Sequence, residues 1–232
     1  IIAVTGTNGK TSVADLFYQI FRLNNIPVAS IGTLGIKYNN KFISSNLTSP
    51  ETINLHKNLE IIKKAKIDNV IVEASSHGLD QKRLDNLDLK AGIFTNFSQD
   101  HLDYHRTMRL YLKAKLRLFK NIIKKKKIVI SDRSNKEFKI LKKISKKRKL
   151  KLIDINSIKE KLKNYKDLKF NEIYYKNLSM AIVAAKLCNL KEKKIFGVLN
   201  KLKDVNGRLE LIRTFSNNIK VYVDFAHTPD AL

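Results

Sequence analysis

The sequence has a single cysteine, Cys188, in 232 residues. That excludes an internal disulfide framework and a metal site built from several thiolates. Three prolines, eight glycines and no tryptophan are too little Pro and Gly for a collagen-like or linker-dominated chain. No apolar run approaches the roughly 18 residues of a membrane-spanning helix. Nor does a basic segment lead into an apolar core with a small-residue cleavage site, and the compartment expected is the cytoplasm. Acidic residues are scarce: 21 Asp and Glu stand against 46 Lys and Arg, a formal net charge of +25. So basic a balance raises the question of a polyanionic partner. The densest runs, Lys124 to Lys127 and Lys142 to Lys149, lack the interleaved aromatic residues on which single-stranded nucleic acid stacks. Ile, Lys and Asn are abundant along the whole chain. We therefore read the charge as general lysine enrichment of the surface, with a basic nucleic-acid-binding module as the alternative from another class.

What is present is a core-forming pattern. Hydrophobic residues make up 43 % of the chain and fall in short periodic groups, which argues against disorder. Ile1 to Thr5 reads as a buried strand running into a glycine loop. Val13, Leu16, Phe17, Ile20 and Phe21 then recur at helical spacing. Val28 to Ile31, Asn69 to Ala74, Ala91 to Thr95 and Lys127 to Ser131 read as further strands. Glu51 to Ala65 (after Pro50), Thr107 to Ile123, Lys136 to Ser145 and Leu178 to Leu190 read as helices. Strands alternating with helices predict an α/β fold, a P-loop-type, mostly parallel sheet flanked by helices. Between Leu150 and Tyr175 only short strands are expected. After Gly207 the pattern changes to strand candidates at Leu209 to Phe215 and Lys220 to Phe225, which places a domain boundary near Asp204 to Asn206. The chain opens in a strand-like run without Met and closes inside a motif, so a piece of a longer protein is expected.

Three groups carry chemistry. In Gly6-Thr7-Asn8-Gly9-Lys10-Thr11-Ser12, a glycine loop between strand and helix turns backbone N–H groups toward a phosphate. Lys10 would reach the β- and γ-phosphates, and the Thr11 hydroxyl would face Mg²⁺. A full Walker pattern needs glycine at the position of Val4, so this is a shortened variant. Glu73, at a predicted strand end before Ala74-Ser75-Ser76-His77-Gly78, lies on the edge where open α/β sheets bind ligands, and a carboxylate there suits Mg²⁺. The stretch Thr95 to His105 follows another strand and holds Asp100, His101, Asp103 and His105, a density that points to metal or phosphate chemistry. Zinc is the poorer reading, because two histidines four apart on a loop lack helical geometry. By composition alone, Lys113 and Lys115 are two lysines among many.

Together, GTNGKTS at 6–12, LTSPET at 47–52, EASSHGLDQKR at 73–83, FTNFSQDHLDYH at 94–105, YLKAK at 111–115, GRLE at 207–210 and VDFAHTPDAL at 223–232 resemble the Mur ligase superfamily. Within it they most resemble the branch that adds the third peptide residue to the peptidoglycan precursor. The loop alone would equally suit folylpolyglutamate synthase, which shares the reaction type, whereas EASSHGLDQKR together with DHLDYH favours the cell-wall branch.

The resemblance implies a central ATP-binding domain over 1–204 and the first strands of a Rossmann-like C-terminal domain over 205–232, with the N-terminal uridine-binding domain absent. It implies an ADP-forming ligase of cell-wall synthesis, in which ATP phosphorylates the carboxylate of UDP-MurNAc-L-Ala-D-Glu and an amine, diaminopimelate or lysine, attacks the acyl phosphate. Catalytic roles fall to Lys10, Glu73, His101 and Lys115. Thr11, Glu73, His101 and Lys115 correspond to the family's Mg²⁺-binding positions, Lys115 as a carbamate, since CO₂ turns a cation into an anion. Lys113 does not match that position. The nucleotide falls to Gly6, Thr7, Asn8, Gly9, Lys10, Thr11 and Ser12, with Asn177, Arg208, Asp224 and His227 at the adenosine end. The UDP-dipeptide falls to Thr48, Ser49, Ser75, Gln81 and Arg83, whose planar fork suits phosphate or carboxylate. The chain departs from the family at Tyr174, where Asn is common, at Asn171-Glu172-Ile173, where a glycine is common nearby, and at Phe225, where Tyr is usual.

Overall fold

The structure, a computed structural model, describes residues 1–165 and 171–228. In chain order the strands are β1 (Ile2–Thr5), β2 (Val28–Gly32), β3 (Gly35–Tyr38), β4 (Lys41–Ile43), β5 (Asn69–Glu73), β6 (Ala91–Phe94), β7 (Ile128–Ser131), β8 (Lys151–Asp154), β9 (Glu210–Thr214) and β10 (Lys220–Val223). The helices are α1 (Lys10–Leu23), α2 (Thr52–Lys64), α3 (Ser76–Asp80), α4 (Leu102–His105), α5 (Met108–Arg117), α6 (Phe138–Arg148), α7 (Asn156–Lys163), α8 (Glu172–Leu187) and α9 (Glu192–Phe196).

The first eight strands form one sheet in the order β4-β3-β2-β5-β1-β6-β7-β8. Pairing is parallel from β2 to β8 and antiparallel at β2–β3 and β3–β4. β1 sits in the middle and is buried on both faces, which its uninterrupted apolar run requires. Helices cover both faces. On one, Val13, Phe17 and Phe21 of α1 pack with Leu178, Ala181 and Ile182 of α8. On the other, Leu55 and Ile62 of α2 share a core with Leu116, Phe119, Leu141 and Ile144. Each parallel strand ends on the same edge, so the segments after β1, β5, β6 and β7 meet there.

The expected parallel α/β sheet is present, and several local expectations need correction. The stretch after Leu150 holds not only the short strand β8 but also helix α7, whose Ile158 and Leu162 alone face the core. The remainder of that stretch, 166–170, lies outside the described residues. Helix α8 starts at Glu172 rather than Leu178, because Asn171 caps it: its side chain accepts from the Tyr174 N–H at 2.7 Å. The segment expected as one helix to Ile123 is α5 followed by a π-helical turn, Leu118–Ile122. The β3–β4 hairpin, unforeseen, turns at Asn39 (φ 50°). It is held to α1, where the Tyr18 hydroxyl donates to the Asn39 carbonyl at 2.7 Å and Arg22 pairs with Asn40.

β9 and β10 form a separate antiparallel sheet, in line with the two strand candidates after Gly207. We infer that the second domain starts here. Residues 229–232, the end of its VDFAHTPDAL motif, lie outside the described residues. The approach to this sheet is fixed on α1 by Gln19. Its Oε1 accepts from the Lys203 N–H at 2.8 Å, and its Nε2 donates to the Lys203 carbonyl at 3.1 Å. The lysine runs meet at the opposite sheet edge, where the Lys126 N–H donates to the Lys149 carbonyl at 2.8 Å.

Candidate active site

The loop between β1 and α1 is shaped by two glycines at positive φ, Gly6 (147°) and Gly9 (83°). A Cβ on Gly6 would stand 1.8 Å from Thr95 Oγ1, and one on Gly9 would stand 2.5 Å from Asn177 Oδ1. Only glycine combines these dihedrals with so close an approach. Neighbouring strand ends grip the loop. The Asn8 N–H donates to Asn96 Oδ1 at 2.8 Å, while Thr95 Oγ1 and Asn96 Nδ2 donate to the Asn8 carbonyl at 2.6 and 3.2 Å. Thr7 Oγ1 donates to the Ser98 carbonyl at 3.1 Å and lies 3.2 Å from the Tyr111 hydroxyl. Lys10, Thr11 and Ser12 form the first turn of α1, whose N-terminus carries the partial positive charge that favours an anion. Lys10 Nζ folds over the loop and donates to the carbonyls of Gly6 (2.9 Å) and Thr7 (2.7 Å). Burial lowers its pKa against the opposing pull of Glu73 and Asp100.

Glu73, at the end of β5, lies beside this turn. The Thr11 hydroxyl donates to its Oε2 at 3.0 Å, the Thr33 N–H to Oε1 at 2.9 Å and the Thr33 hydroxyl to Oε2 at 3.2 Å. Gly32 makes the space, since a Cβ there would stand 2.0 Å from Glu73 Oε1. Burial pushes the Glu73 pKa up, opposed by Lys10 and by these hydrogen bonds. A buried carboxylate adjoining a hydroxyl, with no ion-pair partner among the described residues, suits a hard divalent cation, which needs few protein oxygens when phosphates supply the rest. Among the described residues no three His, Cys, Asp or Glu side chains converge as a metal cage.

Lys115 enters from α5. It is 1 % exposed, whereas Lys113 is exposed. Its Nζ donates to the Gly6 carbonyl at 2.7 Å, the same oxygen that Lys10 contacts, and sits 4.3 Å from the Tyr111 ring centroid. Burial, with Lys10 nearby, holds its pKa well below the usual lysine value. His101 caps α4 in a left-handed conformation (φ 49°), with Nε2 3.3 Å from Asp100 Oδ2. The stretch expected as loop is thus helical from Leu102. The His77 ring lies 4.9 Å from His101, 5.5 Å from His105 and 4.2 Å from Tyr104. Burial is the leading reason that all three imidazoles have lowered pKa values.

The residues expected for the UDP-dipeptide form a connected set on the β2–β5 side. Thr48 Oγ1 lies 3.1 Å from Thr33 Oγ1. The Ser49 hydroxyl donates to the Glu73 carbonyl at 2.8 Å and lies 3.0 Å from Ser75 Oγ, which caps α3 through the Gly78 N–H. Arg83 donates to the Ser49 carbonyl at 2.7 Å and to Gln81 Oε1. At the other end, Asn177 touches Gly9 and Arg208 Nη2 reaches Thr11 Oγ1 at 3.3 Å. His227 Nε2 stands 3.7 Å from Asp100 Oδ2. Asp224 caps its own turn through the Ala226 N–H, and the Phe225 ring lies under Arg208 at 5.1 Å. Thr33, Thr95 and Asn96 were not singled out as candidates. Their side chains act on the loop and on Glu73 through contacts 40 to 88 residues apart in sequence, which no local pattern reveals.

The chain is similar in sequence and fold to known ligases. The chain is 40 % identical over 253 aligned residues to the UDP-N-acetylmuramoyl-L-alanyl-D-glutamate–2,6-diaminopimelate ligase of Zymomonas mobilis, covering 99 % of this chain and 52 % of that protein. It is 36 % identical to the ligase of the same name from Rickettsia bellii, over all of this chain and 53 % of that one. It therefore spans about half the length of the curated relatives it matches. A solved 2,6-diaminopimelate ligase of that name superposes with a TM-score of 0.78 at 26 % identity, covering 99 % of this chain and 51 % of the other. Folylpolyglutamate synthase of Mycobacterium tuberculosis, solved with ADP, superposes at 0.69 with 16 % identity over 99 % of this chain and 63 % of its own, a likeness of fold. The Mur ligase middle domain matches residues 4–200, and the chain belongs to the Mur ligase family.

Proposed function

We propose that this chain is the nucleotide-binding core of an ADP-forming ligase. It would extend UDP-MurNAc-L-Ala-D-Glu by one amino acid, diaminopimelate rather than lysine, through an acyl phosphate. The observation that carries this reading is the convergence on Gly6: Lys10 and Lys115 donate to one carbonyl beside the buried Thr11–Glu73 pair. Phosphoryl transfer needs placement and charge neutralisation more than covalent help, and this site offers both. The names of the relatives, together with identity along the whole chain, support the cell-wall substrate over folate. ATP and such a nucleotide-linked precursor would be met in the cytoplasm.

In this reading the loop amides and Lys10 bind the nucleotide phosphates. Thr11 and Glu73 would hold one Mg²⁺, and His101 and Lys115 a second. Bound Mg²⁺ would neutralise charge on the transferred phosphoryl group. Burial disfavours the charged form of Lys115, and the neutral amine is the form that adds CO₂, which supports a carbamate there. Thr48, Ser49, Ser75, Gln81 and Arg83 line one side for the dipeptide and its phosphates. Asn177, Arg208, Asp224 and His227 would border the adenosine on the other.

The test is ADP release by the full-length protein with Mg²⁺ and UDP-MurNAc-L-Ala-D-Glu, with diaminopimelate, with lysine and with neither. Release should require the UDP-dipeptide together with diaminopimelate, and Lys10→Ala should abolish it. Release that instead needs a folate and glutamate, or none with any pair, would overturn the reading.

A further inference from the structure

We propose that Asp132 is a positioning residue for nucleotide binding: from the end of β7 it holds Lys176 and so seats Asn177 against the loop at Gly9. This rests on the reading of 6–12 as a nucleotide loop, and it concerns a group that no sequence motif singled out. Asp132 is fully buried, so it touches no ligand itself. Its Oδ1 accepts from the Ser134 N–H at 2.8 Å. Its Oδ2 has no hydrogen-bond partner among the described residues and lies near two ammonium groups, Lys159 Nζ at 3.6 Å and Lys176 Nζ at 3.7 Å. A buried carboxylate is costly to keep unless its charge is answered, and here the answer comes from two helices.

Lys159 belongs to α7 and also pairs with Glu172, in the first turn of α8, at 3.1 Å. Lys163 pairs with the same Glu172 at 3.0 Å. Lys176 belongs to α8 itself. One carboxylate on the sheet edge thereby fixes α7 and the opening turns of α8. The residue after Lys176 is Asn177, whose Oδ1 comes to 2.5 Å from a Cβ position on Gly9. A small shift of α8 at that point either presses on the loop or leaves it unsupported. The strand end is in turn locked to the loop's other support. Asn135 Nδ2 donates to the Thr95 carbonyl at 2.8 Å, and Thr95 grips Asn8. The Asp132 segment therefore braces the loop from two sides, through α8 and through Thr95.

The experiment measures MgADP affinity by titration calorimetry on the full-length protein, for wild type, Asp132→Asn, Lys176→Met and the double variant. Affinity for the UDP-dipeptide and thermal unfolding are measured in parallel. Asp132→Asn and Lys176→Met should each weaken MgADP about tenfold while dipeptide affinity stays within about twofold. The double variant should be no weaker than the weaker single one, because both remove one interaction. Lys176→Arg, which keeps the charge, should restore binding. If Asp132→Asn does not fold, Lys176→Met against Lys176→Arg decides alone. Singles that bind like wild type, an additive double, or equal loss of dipeptide affinity would overturn the inference while leaving the nucleotide site intact. Wild type that binds no MgADP would remove the nucleotide reading itself, and the inference with it.

Discussion

Gly32→Ala probes the Glu73 centre directly. Gly32 lies in β2 and its backbone needs no glycine dihedral, so alanine is compatible with the strand and should gain about 0.5–1 kcal/mol from lower unfolded-state entropy. Against that, the added Cβ would stand 2.0 Å from Glu73 Oε1, 2.5 Å from Cδ and 2.6 Å from Cγ. The carboxylate must swing away. It then loses the donors at Thr33 N, Thr11 Oγ1 and Thr33 Oγ1. Hydrogen bonds to a charged group are worth roughly 1.5–3 kcal/mol each, and partial recovery by water or rearrangement brings the expected net cost to about 2–4 kcal/mol. The assay is urea denaturation of the full-length protein in a cycle with Glu73→Ala. Without the carboxylate there is nothing for the Cβ to strike, so Gly32→Ala should be near neutral in that background. The coupling should be about 2 kcal/mol or more. Equal effects of Gly32→Ala with and without Glu73, or a wild-type midpoint for the single variant, would refute the geometry around Glu73.

Lys115→Met should lose ligase activity yet, in CO₂-depleted buffer where the wild-type amine is unmodified, be more stable than wild type at pH 7 by about 1 kcal/mol, because it removes a buried ammonium. The folded-state pKa of Lys115 is lowered from 10.5, so the unfolded chain binds this proton more tightly and wild-type stability rises with pH between the folded and unfolded values. The gap between the two proteins should close toward that upper value, and a pH-independent gap would count against the burial argument. Gly9→Ala combines a left-handed φ of 83° with a Cβ 2.5 Å from Asn177 Oδ1; unfolding should show a loss of about 1–3 kcal/mol and calorimetry a weaker MgADP. Asn96→Ala removes both side-chain bonds to Asn8 and should raise the KM for ATP several-fold with little change for the dipeptide; an unchanged KM would mean that the contacts of Thr95 and Thr7 suffice to hold the loop.

The parallel sheet was readable because β1, β5, β6 and β7 are short apolar runs followed by glycine, acid or polar clusters, and burial on both faces demands that pattern. The candidate site was legible where its residues stand together in sequence, as in the loop with its lysine and threonine. The β3–β4 hairpin was not, since Gly35 to Ile43 lacks clear alternation and β4 is exposed along its length. The start of α8 was hidden for another reason. Glu172 to Asn177 carries polar residues that serve ion pairs and the loop rather than the core, and the only local sign was Asn171 as a cap. Lys115 could not be told from Lys113 by composition; the helix pitch separates them, turning one into the sheet edge and the other to water. Thr33, Thr95, Asn96 and Asp132 owe their roles to parallel crossovers, which bring distant strand ends together without leaving a short-range trace.

The clasp of Gln19 on Lys203 sets a tether length. Arg208 lies five residues beyond the clasp (208 minus 203), and five residues of fully extended chain span at most about 18 Å. While the clasp holds, the guanidinium cannot stray far from α1, whatever the β9–β10 hairpin does. Its encounter with Thr11 Oγ1 is then an intramolecular event, with a local concentration of the order of millimolar or above. The arginine at the loop thus behaves as a leashed group that returns by short-range diffusion, and loosening Gln19 would lengthen the leash before it altered any atom of the site.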